Sequence, residues 1–570
     1  MSQTINRGDM NNMENIKKLR VFVSPWLVRI GLWLIPLSFL LVAFFYPLSR
    51  IFALTLDPRT LTSENLLLAS EVLLFTFYQA ALSTLLTLLL GLPSAYLFAR
   101  YDFRGKSLLR ALTAVPFMLP TVVVAAGFSA LLGPRGLIHS LFPFSSFPFI
   151  GTLWAILIAH VFYNTTIIIR VVGNALSSLD PKLEAAARSL GADSLRVWRN
   201  VILPILRPSI LASSLLVFLF DFTSFGVILL LGGSRFGTLE VEIYLRVLRL
   251  PNLPLAALLS VIQLICTLVI SLIYTRIVTR ATVQTAPRSA ESNIRKPKTL
   301  REKIFTTAFA FLLSSFFLLP LSSLPLRSFF RLEADRGQRG EVLYGFTTDY
   351  YRELFINRRG SVFYVPPIRA TANSLGYAGA TVMLSLLLGF PAALALAKPT
   401  RLERILDPLI MLPLGSSAVM LGLGFIISFG AWLTSPLLVP FAHTLVALPF
   451  VIRTLQPAIA SIPERLRQAA ASLGASPLEV WKNIDLPILR RATLAAATFA
   501  FTISLGEFGA TLLISRPEYP TIPVAIERFL SQPGGLNYGQ AMAMATLLML
   551  LTLASILLIE KFRIPGSGEF

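Results

Sequence analysis

Runs of about 20 mostly apolar residues, separated by short polar stretches, recur along the whole chain, and a helix needs about that length to cross the hydrocarbon core of a bilayer. Twelve such runs are centred near Pro36, Leu85, Val122, Ile158, Leu216, Gln263, Leu313, Leu384, Met420, Leu445, Thr498 and Leu548. They are too long and too continuously apolar for the alternating strands of a membrane barrel. Backbone groups inside lipid must satisfy one another, so each run is read as a helix. The pattern predicts an all-α polytopic membrane protein with about twelve transmembrane helices. The first run, Trp26 to Tyr46, follows a polar stretch and is too long for the core of a cleavable signal, so it reads as a span.

The polar stretches are not all independent. "LEAAARSLGADSLRVWRNVILPILR" begins at Leu183, and "LRQAAASLGASPLEVWKNIDLPILR" begins at Leu466. A shift of 283 residues superimposes Ala186 on Ala469, Gly191 on Gly474, Trp198 on Trp481 and Pro204 on Pro487. It also superimposes His160 on His443, Arg170 on Arg453 and Phe225-Gly226 on Phe508-Gly509. Further upstream, Gly91-Leu92-Pro93 resembles Gly389-Phe390-Pro391 at a changed offset. The chain therefore reads as two halves of six spans, residues 1–280 and 303–570, joined by a linker over 281–302. Six is even, so the halves share orientation as a parallel repeat.

Within each copy the local chemistry predicts helix, turn, helix. Asp180 precedes Pro181 as N-cap and first helical residue. Leu183, Ala186, Ala187 and Leu190 form a stripe at helical spacing. Gly191 is placed to end the helix at positive φ. A second short helix is expected to carry Leu195 and Trp198 on one side, and Pro204 marks the approach to the fifth span. In the second copy Pro463, Leu466, Ala469, Ala470, Leu473 and Gly474 play these parts, and Ser476-Pro477 restarts the chain. A helix resting on the bilayer would want larger apolar anchors. Alanines permit close backbone approach, so two copies of one small socket point to two copies of one partner.

Composition narrows the picture. Of 570 residues 55% are hydrophobic and 14% charged, with a mean hydropathy of +0.71; soluble domains carry about 25% charged residues. The net charge of +21 would suggest nucleic acid in a soluble protein. Here the Lys and Arg residues fall in alternate inter-span segments, as orientation by positive charge demands, and nucleic-acid binding is set aside. The basic segments include both termini, the two repeated loops and the linker, which puts all of them on the cytoplasmic side. The segment from about Arg327 to Ala370 then lies outside. One cysteine, Cys266, and three scattered histidines offer neither an internal disulfide nor a metal-ligand spacing. No phosphate-binding G-x-x-x-x-G-K-[ST] loop is present: at Gly105-Lys106-Ser107 the first glycine position is Arg100. No Ser/His/Asp or paired-carboxylate catalytic set stands out.

The two repeated stretches resemble the cytoplasmic EAA loop of ABC-importer permeases. "SFGVILLLGG" from Ser224, "SLGEFGATLL" from Ser504 and "AHVFYN" from Ala159 resemble the fused, twelve-span ferric-iron and thiamine branch of that family. The resemblance implies a type I, MetI-like permease fold in a bacterial or archaeal cytoplasmic membrane. It implies a substrate handed over by an extracytoplasmic binding protein, and loops seated on a dimer of cytoplasmic ATPase chains. ATP and Mg would be used by that partner, with no cofactor on this chain. The loop residues it marks are Glu184, Ala186, Ala187, Gly191 and Pro204, then Gln468, Ala469, Ala470, Gly474 and Pro487. One departure stands out: the family's glutamate falls at Ala185 and Gln468, with Glu184 one residue early. The expected substrate is ferric iron or thiamine, between which the sequence does not choose; sulfate and polyamine permeases share the architecture.

Polar residues inside the spans are the other candidates. His160, Asn164 and His443 are either interhelical hydrogen-bonding groups or substrate contacts. A charge in the bilayer is costly, so Asp221 and Glu507 should face a cavity, a bundle interior or a partner. The repeat puts Glu507 opposite Ser224, one turn from Asp221. Either the two carboxylates are packing glue, or they meet near the pseudo-twofold axis and favour a cation over an oxyanion. A twelve-span secondary transporter driven by an ion gradient is the rival class, but it would have no need of duplicated cytoplasmic sockets. A membrane enzyme would need clustered His, Asp or Glu.

Overall fold

The computed structural model describes residues 25–141, 149–281, 294–332, 344–357, 365–433 and 435–562. Eleven of its helices are long and apolar enough to cross a membrane, and a bent helix pair makes up to twelve. Span 1 runs from Pro25 to Thr55 through a π-helical turn at Leu41–Phe45. Spans 2 to 6 are Ser63–Arg100, a broken span Lys106–Met118 and Thr121–Leu132, Leu153–Ser177, Leu203–Phe222 and Leu253–Ala281. Spans 7 to 12 are Leu300–Phe329, Ile368–Ala397, a broken span Arg401–Gly415 and Ala418–Phe429, Leu438–Ala460, Leu486–Gly506 and Gly535–Phe562. Short helices fill the gap between the last two spans of each half: Leu239–Leu248 in the first, Gly509–Ile514 and Ile522–Leu530 in the second. The linker lies largely outside the described residues, and its last residues belong to span 7, which begins at Leu300. Of the outer segment after Arg327, a two-residue hairpin (Phe330 and Arg331 against Phe346 and Gly345) and the turn Asp349–Glu353 are described.

The number of spans agrees with the expected twelve, and the helix is interrupted before the second piece of spans 3 and 9. Leu119 is extended (ψ 146°) because the ring of Pro120 crowds the helical conformation of the residue before it. In span 9, Ser416 and Ser417 are extended and the Ser417 hydroxyl caps the second piece by accepting from Met420 N–H at 2.9 Å. The two pieces of span 9 meet at 96°. The apolar pattern runs through both breaks, which is why it reads as one span.

Spans 4 and 10 are the most buried, with 78% and 72% of their apolar windows inside the protein. Each is approached closely at a glycine of the neighbouring span. A Cβ on Gly91 would lie 2.6 Å from Ile168 Cβ, and one on Gly389 2.7 Å from Val451 Cγ1. Ile168 and Val451 are repeat equivalents, so the duplicated Gly-x-Pro marks the same contact twice.

The first span of each half packs on the other half. Span 1 lies against spans 8 and 9, and span 7 against span 3. A Cβ on Gly127 would meet the Pro320 carbonyl at 2.8 Å, and one on Gly424 would meet Pro47 Cβ at 2.9 Å. The Ser323 hydroxyl donates to the Gly127 carbonyl at 2.9 Å. Pro47-Leu48-Ser49 and Pro320-Leu321-Ser322 are the same phrase in the two halves, so the exchange is pseudo-symmetric. Arg29 and Trp33 of span 1 also reach the buried Glu403 of span 9, at 3.1 and 3.4 Å.

Candidate functional site

The repeated loops fold alike. The first loop helix is Pro181–Ser189, with Asp180 accepting from Lys182 N–H at 3.0 Å. The second is Glu464–Ser472. Each ends in a left-handed glycine, Gly191 at φ +83° and Gly474 at φ +87°. Gly191 N–H bonds to Arg188 O at 2.9 Å and Ala192 N–H to Ala187 O at 3.1 Å. In the second copy Gly474 bonds to Ala471 and Ala475 to Ala470, both at 3.0 Å. This pair of bonds satisfies carbonyls that a helix end leaves open, and it requires positive φ at the glycine. The next helices start at Ser194 and Pro477, capped by Asp193 and Ser476.

After each short helix the backbone widens into a π-turn, Trp198–Ile202 and Trp481–Asp485, before running straight into spans 5 and 11. Pro204 and Pro487 lie just beyond. A proline has no N–H to give the carbonyl four residues back, and the wider turn accommodates that lost bond. The sockets are thus rigid outgrowths of the spans that follow them.

Neither loop helix buries a residue. Leu190 and Leu473 are each 89% exposed, and Leu195 and Leu478 are 75% and 74% exposed. Ala186 and Ala469 are exposed; Ala187 and Ala470 are half-buried. Leu195 and Trp198, three residues apart, are both exposed, and Trp198 also packs edge-on against Tyr96 at 5.5 Å. Trp481 does the same with Phe390 at 5.4 Å. Glu184 is turned inward, paired with Arg100 at the end of span 2. Glu464 is paired with Lys398 at the end of span 8, and the hydrogen bond from Lys398 holds its carboxyl below the usual range. Gln468 is exposed on the second helix.

The polar residues within the spans assemble into one cluster per half. In the first, Asn164 donates to Asp221 Oδ1 at 2.7 Å, and His160 Nδ1 lies 3.4 Å from the same oxygen. Ser83 bonds His160 Nδ1 at 2.9 Å and Ser224 bonds Nε2 at 2.8 Å. In the second, Ser504 bonds His443 Nδ1 at 2.7 Å, while Thr511 and Glu507 meet Nε2 at 2.7 and 3.2 Å. Glu507 also accepts from the N–H groups of Ala510 (2.8 Å) and Thr511 (3.0 Å). Asp221 is the repeat equivalent of Ser504, and Ser224 of Glu507. Each histidine therefore sits between one acid and one serine, with the two exchanged between halves.

Among the described residues no hydrogen bond or ion pair joins the two carboxylates. Both are buried and turned toward the histidine of their own half. The groups that do meet between the halves are Phe225 and Phe508, repeat equivalents stacked at 5.5 Å with 30° between planes. Beside them a Cβ on Gly226 would lie 3.2 Å from Phe508. One more buried acid joins the halves: Glu240 accepts from Gln263 at 2.6 Å and from Ser417, at the break of span 9, at 2.9 Å. Sequence reasoning missed Glu240, which stands two residues before Glu242 and has no acid opposite it in the repeat. The phenylalanine pair was visible as a duplicated Phe-Gly, though nothing there showed that the rings touch.

Comparison with known proteins matches this architecture. The family described as the inner membrane component of binding-protein-dependent transport systems matches twice, at residues 87–283 and 385–562. The thiamine transport system permease protein of Brucella abortus is 30% identical over 501 residues, covering 85% of this chain and 86% of its own. That of Escherichia coli is 27% identical, with 87% and 89% covered. A probable ABC transporter permease protein of Sinorhizobium fredii is 26% identical, with 87% and 88% covered. With two matched segments spanning most of its length, and with sockets, broken spans and buried clusters repeated in register, the chain belongs to the family of binding-protein-dependent transport system inner membrane components.

Proposed function

We propose that this chain is the whole translocation unit of a thiamine importer, both permease halves in one polypeptide, driven by a separate ATPase dimer. The observation that carries the reading is the pair of sockets: two outward helix–glycine–helix units with matching exposure at each leucine position. Large apolar side chains held out in the same way twice suit one partner surface presented twice. Ala186, Ala187 and Gly191, with Ala469, Ala470 and Gly474, would form the docking surface. Glu184–Arg100 and Glu464–Lys398 would pass loop movement to spans 2 and 8, and the π-turns before Pro204 and Pro487 would pass it to spans 5 and 11.

The sockets, the linker and both termini would face the cytoplasm, where the basic residues cluster. The division into halves at 1–280 and 303–570 would then hold in sequence, with the first spans exchanged in space. His160, Asn164, Asp221, His443 and Glu507 would act as the polar spine of each half, and Phe225 with Phe508 would close the path between them. Thiamine is favoured over ferric iron because the similar proteins of Brucella abortus and Escherichia coli are thiamine permeases by name.

The test is uptake of labelled thiamine into proteoliposomes holding this chain, its ATPase and its binding protein. Uptake should require internal ATP and persist with a protonophore. Uptake driven by a proton gradient without ATP would overturn the ATPase reading. ATP-driven uptake of ferric iron or a polyamine but not of thiamine would overturn the substrate.

A further inference from the structure

Beside the first socket lies an open groove of about 450 Å³, lined by Leu92, Pro93, Tyr96, Trp198, Arg301 and Phe305 among others. Its floor is apolar and aromatic. The charged groups that line it are Arg301 and Glu302, and they belong to the segment "RKPKTLREK", Arg295 to Lys303, which carries five basic residues and one acid and otherwise runs beyond the groove. The acid is already engaged: Glu302 accepts from Lys298 N–H at 2.8 Å, Thr299 N–H at 3.2 Å and the Arg295 guanidinium at 2.5 Å. Arg301 is exposed and, among the described residues, makes no ion pair. Next to the groove Leu300 and Ile304 stand 74% and 59% exposed at the start of span 7, as suits side chains against lipid.

We infer that this groove is a binding site for an anionic phospholipid, with an acyl chain along Leu92, Pro93 and Phe305 and the phosphate at Arg301. Charge complementarity selects the occupant. An apolar trough opening beside exposed apolar residues accepts a chain, and Arg301, left without an ion pair among the described residues because Glu302 is taken up by Arg295, accepts a phosphate. Aromatic side chains such as Tyr96 and Trp198 suit the level where chain and headgroup join. A zwitterionic lipid would fill the trough but leave the charge of Arg301 unmatched.

The site would also bear on coupling. Arg295 N–H donates to Arg100 O at 3.0 Å, and Asp102 N–H donates to Arg295 O at 2.9 Å. The Arg295 guanidinium lies 5.5 Å from the Tyr101 ring centre. The basic strap is thus laced to the end of span 2, where Arg100 holds Glu184 of the first loop helix. A headgroup that fixes the strap also fixes the base of that socket.

Trp198 lies in the groove and reports on it. The full chain would be reconstituted with phosphatidylcholine or phosphatidylglycerol brominated on the acyl chain, over the same series of mole fractions. The Trp198 signal is the difference between the parent and Trp198→Phe. Brominated phosphatidylglycerol should quench that signal at lower mole fraction. Arg301→Gln should weaken the preference about fivefold, the effect of one basic residue near a membrane surface. Lys296→Gln, outside the groove, should leave it in place, and Arg301→Lys should restore most of it. Equal quenching by the two lipids would overturn the proposal. Equal loss with Arg301→Gln and Lys296→Gln would reduce it to general surface attraction. If inorganic phosphate abolished the preference, the site would be an anion pocket without a lipid. Because quenching needs neither ATP nor transport, failure here would leave the importer reading untouched.

Discussion

Replacing the socket glycines isolates a single physical quantity. Gly191 and Gly474 hold φ at +83° and +87°, and a Cβ added at either would meet nothing within 4 Å. A substitution there incurs no steric clash with neighbours, only the cost of a left-handed backbone. That cost is about 1–2 kcal/mol for an ordinary residue such as alanine, and up to about 3 kcal/mol for a strained residue in a sparsely populated region, as with valine. The two sockets share no neighbours, so the double valine variant should lose about 2–6 kcal/mol. A tenfold change in an equilibrium costs about 1.4 kcal/mol, so most molecules would have at least one socket rearranged. Asparagine visits the left-handed region readily and should be tolerated. The assay is substrate-stimulated ATP hydrolysis by the assembled importer, at matched abundance in the membrane. The expected order is parent, then Asn, then Ala, then Val, with the double valine variant at least tenfold down. Parental turnover in the double valine variant would refute the reasoning, because the turn would then not be the element that the partner reads.

Three further outcomes are expected. Glu507→Ala leaves the Ala510 and Thr511 amides without their acceptor at about 1–3 kcal/mol each, and should lower the melting temperature in detergent more than Glu507→Gln does; equal melting of parent and alanine variant would exclude a structural role. With Cys266 replaced, a cysteine at the exposed Ser531 should react with an impermeant thiol reagent from outside, and one at Ser189 only after the membrane is opened; the reverse would invert the orientation. Removing both rings by Phe225→Ala with Phe508→Ala deletes the stacked contact between the halves, worth about 0.5–1.5 kcal/mol beyond its buried area, and should raise ATP hydrolysis in the absence of substrate; an unchanged basal rate would show that the rings do not hold the resting state.

What the chain settles locally was legible in its residues. Span positions follow from apolar length, and the socket shape follows from Asp180-Pro181, the alanine stripe and a glycine with no alternative to positive φ. Duplication made each of these readable twice. The interruptions of spans 3 and 9 had a local cue in Leu119-Pro120 and in Ser416-Ser417, but hydropathy averages over a break of two residues. Partnership across distance was not legible. Nothing near Glu507 in the sequence says that it turns back to the amides of Ala510 and Thr511 and to His443, rather than toward Asp221. Nothing near Gly127 says that it seats Pro320 from the other half. Glu240 met Ser417 across 177 positions, and no periodicity encodes such a pair. Periodicity and backbone preference act within a few residues, whereas the exchange of first spans and the choice of partner for each buried acid depend on which helices the packed bundle makes neighbours.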